Sequence, residues 1–221
     1  MKKHILTVSI LVNLVFAGLV VRHYVLMPKP NLNPRLTYFV NRDQVLKNLP
    51  KDSNDVLFVG DSQFQSYEVS ELFGSINVKN RGIYYDTSTG VLHRSLDIAS
   101  GHPAKVFIEI GVNDLLANES TEKIINNVSN TIKTIQEISP QTEIYLLSVF
   151  PTSLIDNTSI SRKILNNGYR SLSKKSNVTF IDLDKQFLNK GLNANYDSGD
   201  KVHLNAKGYG KLTDVLKAYI K

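Results

Sequence analysis

The feature that most constrains the fold is a series of short apolar runs separated by stretches with helical periodicity. The runs lie at 56–59, 76–78, 105–110, 143–149 and 178–181. Short, mainly apolar runs of this kind are typical of strands that are buried on both faces. Between them, 121–138 has apolar residues at helical spacing after Ser120 or Thr121 as N-cap, and a last helix is predicted over about 205–220. This alternation predicts a parallel five-stranded sheet covered on both faces by helices, an α/β sandwich.

Composition excludes several kinds of site. The chain has 221 residues, enough for one domain with a substantial core, and it contains no cysteine. Disulfides, thiolate metal sites, iron–sulfur clusters and a cysteine nucleophile are therefore excluded. The net charge of +6 is modest and is not gathered into a basic tract. It favours anionic surfaces such as wall polymers or lipid headgroups, and we predict no nucleic-acid partner.

The N-terminus is predicted to be a separate element. Residues 5–21 carry no charge and follow Lys2 and Lys3, which is typical of a signal-anchor or transmembrane segment, here predicted over 1–27. A cleaved signal peptide ending near Ala17 is the alternative. Either interpretation predicts export: a membrane-anchored protein with an extracytoplasmic domain, or a secreted one after cleavage. The proline-rich stretch 28–36 is predicted to be a linker, with the folded domain over 37–221.

Candidate site residues follow the carboxyl ends of the first three predicted strands. In a parallel sheet, ligands bind beyond the carboxyl ends of the strands. Ser62 comes just after the first strand, as an exposed nucleophile would, although a serine in this place, taken alone, more often caps the next helix. Asn113 follows the third strand, and its amide could donate to an oxyanion or form a turn. Gly82 follows the second predicted strand and is either a backbone oxyanion donor or an ordinary turn glycine.

A histidine lies near the C-terminus, three residues after an aspartate. A carboxylate such as Asp200 can hold one ring nitrogen of His203 while the other nitrogen takes a proton from serine. Taken alone, such a pair is more often found at the entry to a helix. A nucleophile, an amide donor and an Asp/His pair all at the predicted binding edge favour catalysis.

These residues carry a family resemblance. Gly60-Asp61-Ser62, Gly82, Gly111-Val112-Asn113-Asp114 and Asp200-Lys201-Val202-His203 resemble, in order, the four motif blocks of the SGNH (GDSL-type) hydrolases. The segment 80–94 is similar to the platelet-activating-factor-acetylhydrolase-like branch. The resemblance spans about 56–210. It implies a three-layer α/β/α sandwich with a central five-stranded parallel sheet, as in flavodoxin-like folds.

The resemblance also implies roles for the site residues. Ser62 would be the nucleophile, His203 the general base and Asp200 the residue that orients it. The oxyanion hole would comprise the Ser62 and Gly82 N–H groups and the Asn113 amide. Many members have a small or aliphatic residue and then Thr where this chain has Gln63-Phe64-Gln65, so we expect a different pocket shape.

The functional prediction is an exported serine esterase that forms an acyl-enzyme and uses no cofactor and no metal. Its predicted substrate is a small acyl ester, above all acetyl, or an acylated glycan. Two alternatives remain open: an O-acyltransferase on an envelope glycan, or a non-catalytic envelope binding protein. Asp182-Leu183-Asp184 superficially suggests an aspartyl phosphotransferase, but Gln186 stands where a small residue is expected. The sequence does not indicate an oligomeric state.

Overall fold

The computed structural model describes residues 13–19, 22, 33–152, 158–189 and 191–220. The chain divides into two units, residues 1–37 and 38–221. The second unit contains one sheet of five parallel strands in the order β2-β1-β3-β4-β5. The strands are β1 (Val56–Gly60), β2 (Val78–Gly82), β3 (Lys105–Glu109), β4 (Glu143–Leu147) and β5 (Thr179–Ile181).

Ten labelled helices accompany these strands in the part of the chain that the structure describes. They are α1 (Pro34–Lys47), α2 (Ser62–Gln65), α3 (Val69–Phe73), α4 (Ser88–His93), α5 (Ser95–Ala99), α6 (Val112–Leu116), α7 (Thr121–Ile138), α8 (Thr158–Lys175), α9 (Asp184–Phe187) and α10 (Ala206–Ile220). Helix α7 has the predicted bounds, and Ser120 caps it by accepting a hydrogen bond from the Lys123 N–H.

Two buried clusters cover the two faces of the sheet. On one face, side chains of α4 to α8 pack against alternate residues of the strands, such as Val59 and Ile108. On the other face, α2, α3, α9 and α10 pack against the intervening residues, such as Phe58 and Phe107, whose rings stack at 4.8 Å between centroids. Burial on both faces explains the continuous apolar runs of the central strands. The predicted three-layer sandwich with a parallel five-stranded sheet is confirmed.

The second strand lies further along the chain than predicted. The prediction placed it at 76–78, but β2 runs from Val78 to Gly82, and Ile76 is 86% exposed. Because β2 is an edge strand, it does not need a continuous apolar run, so its sequence carries only a weak strand signal. A polar side chain helps to hold this strand: the amide of Asn80 donates to the carbonyls of Phe64 and Tyr67, at 2.6 and 2.9 Å. Because β2 ends at Gly82, this glycine belongs to the strand rather than to the turn after it.

The N-terminal predictions fall mostly outside the described residues. Of the predicted anchor over 1–27, the structure describes residue 22 and residues 13–19, which are helical. No helix among the described residues combines the length and the apolar character that crossing a bilayer requires. Helix α1 begins at Pro34, inside the predicted linker of 28–36, because Asn33 Oδ1 accepts a hydrogen bond from the Arg35 N–H (3.0 Å) and proline is well tolerated at the first position of a helix.

Candidate active site

The turn after β1 presents a serine at the carboxyl edge of the sheet. Ser62 is the first residue of α2 and is 7% exposed. Asp61 caps this helix by accepting a hydrogen bond from the Gln63 N–H at 2.9 Å. Gly60 lies beside Glu109 in the register of β1 and β3, and a Cβ at Gly60 would overlap the Glu109 carbonyl oxygen. Close packing therefore fixes where the Ser62 hydroxyl can lie.

A chain of hydrogen bonds joins this serine to the loop before α10. Ser62 Oγ lies 2.8 Å from His203 Nε2, across 141 residues of sequence. His203 Nδ1 lies 2.5 Å from Asp200 Oδ2. With Nδ1–H donating to the carboxylate, Nε2 is left to accept the serine proton. The structure thus brings together the three residues that the sequence singled out for nucleophile, base and orienting carboxylate.

The Asp200 carboxylate is held in its ionised form. Burial would raise its pKa, but hydrogen bonds from the His203 N–H, the His203 ring and the Val202 N–H outweigh burial and hold the pKa of Asp200 well below its usual range. The two backbone bonds measure 2.8 and 2.9 Å and both reach Oδ1. Oδ2 is left for the imidazole, so the carboxylate can stabilise an imidazolium when His203 takes a proton.

The Asn113 amide lies beside the same turn. Its Nδ2 donates to the Asp86 carbonyl at 2.9 Å and has a longer contact of 3.4 Å with Asp61 Oδ2. The next residue, Asp114, accepts hydrogen bonds from the Ser88 hydroxyl (2.6 Å) and N–H (2.9 Å). One amide proton of Asn113 is therefore fully engaged, while the second makes only a weak bond that a stronger acceptor can replace.

The Gly82 N–H, which the sequence suggested as an oxyanion donor, is engaged in this structure. It donates to Asn80 Oδ1 at 2.8 Å, and a backbone N–H has only one proton to give. A donor role for Gly82 therefore stays a prediction, and it requires the bond to Asn80 to be exchanged for one to the oxyanion. Glycine is required here for packing, because a Cβ would overlap the backbone of Phe64 and Gln65 in α2.

The sequence of this chain matches a known protein family over most of its length. Residues 58–211 match the GDSL-like lipase/acylhydrolase family. The chain belongs to this family. It is a carboxylic ester hydrolase, and the predicted resemblance to the SGNH hydrolases is confirmed.

Solved structures show the same fold. A Streptococcus pneumoniae protein named for platelet activating factor is 24% identical, with a TM-score of 0.73, covering 94% of this chain and 99% of that one. A Bacteroides fragilis protein named as an acylhydrolase is 22% identical, with a TM-score of 0.71, covering 87% and 98%. An acetylxylan esterase from Geobacillus stearothermophilus is 16% identical, with a TM-score of 0.62, covering 77% and 95%. No curated protein matches this chain.

The loop after β2 of this hydrolase contains an exposed tyrosine in a strained backbone. Tyr85 has φ = +63° and is 54% exposed, and only a few per cent of non-glycine residues adopt a positive φ. The next residue, Asp86, forms a buried ion pair with Arg94 at 2.8 Å. Burial raises the pKa of Asp86 to about 6 despite the Arg94 charge. Because Gly60 and Gly82 pair in register, we place this loop beside Ser62.

Two fully buried carboxyl groups lie beneath the nucleophile. Burial raises the pKa of Asp61 to about 7, with further contributions from the charges of Asp86 and Asp114. Burial and the charge of Asp61 raise the pKa of Glu109 well above its usual range. Neither carboxylate oxygen of Glu109 makes a well-formed hydrogen bond among the described residues, although the Phe150 N–H approaches and lowers its pKa. Glu109 was not predicted from the sequence, although a charged residue inside an otherwise apolar run was a usable signal.

Asp182 and Asp184, which superficially suggested an aspartyl phosphotransferase, are engaged in ion pairs. Asp182 pairs with Arg170 at 2.6 Å and Asp184 pairs with Arg162 at 2.5 Å, so both carboxylates are occupied at the end of β5. Within the described ranges, no group of three or more His, Asp or Glu side chains is arranged to hold a metal ion.

Proposed function

We propose that this hydrolase is an exported serine esterase that cleaves small acyl esters, above all acetyl esters, through Ser62, His203 and Asp200. The observation that carries the proposal is the continuous chain of hydrogen bonds from Ser62 Oγ to His203 Nε2 and from His203 Nδ1 to Asp200. A serine that only capped a helix would not need this alignment with an imidazole and a carboxylate.

The reaction follows from the proton positions. His203 Nε2 takes the Ser62 proton as Oγ attacks the ester carbonyl, and the carbonyl oxygen becomes an oxyanion. The imidazolium, held by Asp200, then gives its proton to the leaving alcohol, and the acyl group remains on Ser62. Water, deprotonated in turn by His203, attacks the acyl-enzyme and releases the carboxylic acid.

The Ser62 N–H and the Asn113 amide are the proposed oxyanion donors. Ser62 is the first residue of α2, so its N–H has no acceptor within that helix. A full negative charge on the oxyanion competes well against the 3.4 Å contact between Asn113 Nδ2 and Asp61. Each such donor is worth about 10²- to 10³-fold in rate.

Acetyl esters on an envelope glycan are the proposed substrate class. The fold is shared with an acetylxylan esterase, and the net charge of +6 suits a polyanionic envelope polymer. The proposed export rests on the uncharged residues 5–21 behind two lysines. Recovery of the full-length chain in the soluble cytosolic fraction of cells would contradict export.

The test is Ser62→Ala measured on esters of increasing acyl length. We expect kcat for an acetyl ester to fall by at least about 10³-fold and labelling by a fluorophosphonate probe to be lost. Ser100→Ala, at the end of α5 away from the site, is the matched control and should keep full activity. An unchanged rate in Ser62→Ala would reject Ser62 as the nucleophile. A wild-type protein that neither hydrolyses the esters nor reacts with the probe would support a binding protein instead.

The same experiment distinguishes hydrolysis from transfer. The acyl-enzyme can pass its acyl group to a sugar hydroxyl, since the His203 side chain is 35% exposed and an acceptor can approach it. An O-acyltransferase would form acylated acceptor when an oligosaccharide is added, at the expense of free acid. We expect free acid to remain the main product.

A further inference from the structure

The two parts of the site are connected differently to the sheet. Asp200 and His203 lie in the same loop, so the bond between them cannot fix that loop relative to Ser62. The loop is exposed over residues 198–201, with the Asp200 side chain 50% exposed, and Lys201 has a left-handed backbone with φ = +69°. Leu204, just after the histidine, is buried. Something outside the loop must hold His203 within 2.8 Å of the nucleophile.

Two side chains from the sheet edge bond successive carbonyls just before the histidine. Gln63 Nε2 donates to the Val202 carbonyl at 2.6 Å, and Thr152 Oγ1 donates to the Lys201 carbonyl at 3.0 Å. Gln63 and Thr152 are 1% and 8% exposed. Buried donors of this kind are shielded from competition with water and hold their acceptors firmly.

We propose that Gln63 and Thr152 are positioning residues that set the distance between His203 Nε2 and Ser62 Oγ. Neither side chain is placed to touch substrate in this role; each acts through the backbone of the histidine loop, residues 198–204. The proposal rests on the proposed function, because it assigns work to the serine–histidine pair.

Three hydrogen bonds hold Gln63 in place. It directly follows the nucleophile, its N–H donates to Asp61 Oδ1, and its carbonyl accepts from the Tyr209 hydroxyl at 2.9 Å. Its Oε1 is buried without a partner among the described residues. An unpaired buried oxygen is destabilising, and an apolar side chain of the same length would avoid this cost. Only the amide supplies a hydrogen-bond donor to the Val202 carbonyl, and this bond also fixes the orientation of the amide.

Thr152 approaches from the other side of the site. It follows β4, whereas Gln63 follows β1, and β3 lies between these two strands. The histidine loop is therefore attached to both neighbours of the central strand rather than to one. Two attachments from different strands resist both translation and rotation of the loop, which a single hydrogen bond does not.

The experiment removes each donor while preserving side-chain size. Gln63→Met and Thr152→Val should each lower kcat on a short acetyl ester by about 10- to 100-fold, because a misplacement of about 1 Å can cost 10²-fold. KM should change by less than a factor of three. Thr152→Ser, which keeps the hydroxyl, should restore at least half of the wild-type kcat.

The acid limb of the kcat profile gives a second readout. It should stay within about 0.3 pH units of wild type in both variants, because the His203–Asp200 pair moves with its loop and remains intact. A loss of kcat without a shift of this limb separates displacement of the pair from damage to it.

Matched controls come from elsewhere in the chain. Gln136 Nε2 donates to the Ser176 carbonyl at 2.8 Å, and Thr142 Oγ1 donates to the Pro103 carbonyl at 2.6 Å, both away from the site. Gln136→Met and Thr142→Val should lower the thermal midpoint about as much as the test variants but leave kcat unchanged. Equal kcat in folded test and control variants would overturn the proposal, as would an effect confined to KM.

Backbone mobility keeps the two proposals distinguishable. Loss of either donor should lower the NMR order parameters of the Val202 and His203 N–H groups in folded protein, whether or not the protein hydrolyses esters. If Ser62→Ala kept esterase activity, the proposed function would fail while the order parameters still reported on the attachment. Unchanged order parameters in Gln63→Met and Thr152→Val would show that these bonds do not hold the loop.

Discussion

The nucleophile turn (residues 60–66) and the histidine loop (residues 198–204) meet at one hydrogen bond but are built in opposite ways. In the turn, Asp61 is fully buried. Gly60 in the turn and Gly82 in the adjoining strand β2 both leave no space for a Cβ. In the loop, the side chains of Asp200 and His203 are 50% and 35% exposed, and a Cβ at Gly199 would meet nothing within 4 Å. Steric packing thus positions the serine, whereas a few polar bonds and the buried Leu204 at the end of the loop position the base.

Opposite pKa shifts accompany this contrast. Burial raises the pKa of Asp61 to about 7, whereas hydrogen bonds from its own loop outweigh burial and lower the pKa of Asp200. The carboxylate that must be charged for catalysis is the one kept near solvent and donors. Asp61, under the nucleophile, is instead buried because it caps the helix of the turn, and this burial raises its pKa.

The largest effect that we expect from breaking this contrast is that of Gly60→Ala. The added Cβ would overlap the Glu109 carbonyl in the adjoining strand, so β1 and β3 must separate. We expect a loss of about 3 kcal/mol in the free energy of unfolding, measured by urea denaturation.

Gly210→Ala is the control for this substitution. A Cβ at Gly210 meets nothing within 4 Å, and the residue lies in α10, so alanine should stabilise the protein by about 0.5–1 kcal/mol. A Gly60→Ala protein as stable as wild type would show that the sheet accommodates the overlap and that the turn is less rigid than we infer.

An intermediate effect is expected from Glu109→Gln, and it depends on pH. The native pKa of Asp61 (about 7, against 3.8 unfolded) and that of Glu109, also raised, mean that the native state holds more protons than the unfolded state. The contribution of these two groups to the unfolding free energy should therefore be largest below about pH 4 and fall as pH rises through about 7. Glu109→Gln should reduce this fall and be more stable than wild type at pH 8, by roughly 1 kcal/mol.

Denaturation curves at pH 5 and pH 8 test this expectation. At pH 5 the variant and wild type should differ little, because Glu109 is then protonated in the folded protein. Glu137→Gln is the control, since Glu137 is exposed on α7 and pairs only loosely with Lys133 at 3.7 Å. A wild-type stability that rises from pH 5 to pH 8 would contradict the buried acid pair.

The smallest effect is expected in the histidine loop, from Lys201→Gly. Lys201 has φ = +69°, a conformation that costs a residue with a Cβ roughly 1–2 kcal/mol. Glycine relieves this strain but is more flexible when unfolded, so the net gain in stability should be below about 1 kcal/mol. The Lys201 carbonyl that Thr152 binds is retained, and kcat should change by less than threefold.

A matched substitution refines this result. Lys201→Asn should behave like the glycine variant, because asparagine tolerates the left-handed region better than most residues. A fall of more than tenfold in kcat in both variants would mean that the lysine side chain itself takes part in the reaction.

Predictions that depended on local pattern were the most accurate. Helix α7 was predicted to the residue because its apolar stripe, its Ser120 cap and its ending all lie between Ser120 and Pro140. Ser62, Asn113 and His203 were singled out because each follows a strand or precedes a helix at the edge where parallel sheets bind ligands. The order of the strands then brought together residues that are 141 positions apart.

Predictions that depended on partners distant in sequence were less accurate. The position of β2 was wrong because an edge strand has little apolar signal, and the sequence did not show that the Gly82 N–H is engaged by Asn80. The buried Glu109 and the attachments made by Gln63 and Thr152 were not foreseen. Each depends on which backbone atoms from other segments lie within about 3 Å.

The sequence by itself determined the layers of the fold, the family and the chemical groups available at the sheet edge, because hydrophobic periodicity and short motifs are local properties of the chain. Only the tertiary structure decided which N–H groups are already engaged, which carboxyl groups are buried, and how an exposed histidine loop is attached to a rigid nucleophile turn. Hydrogen-bond satisfaction and desolvation are set by neighbours in space, and those neighbours come from strands and loops that the sequence does not place side by side.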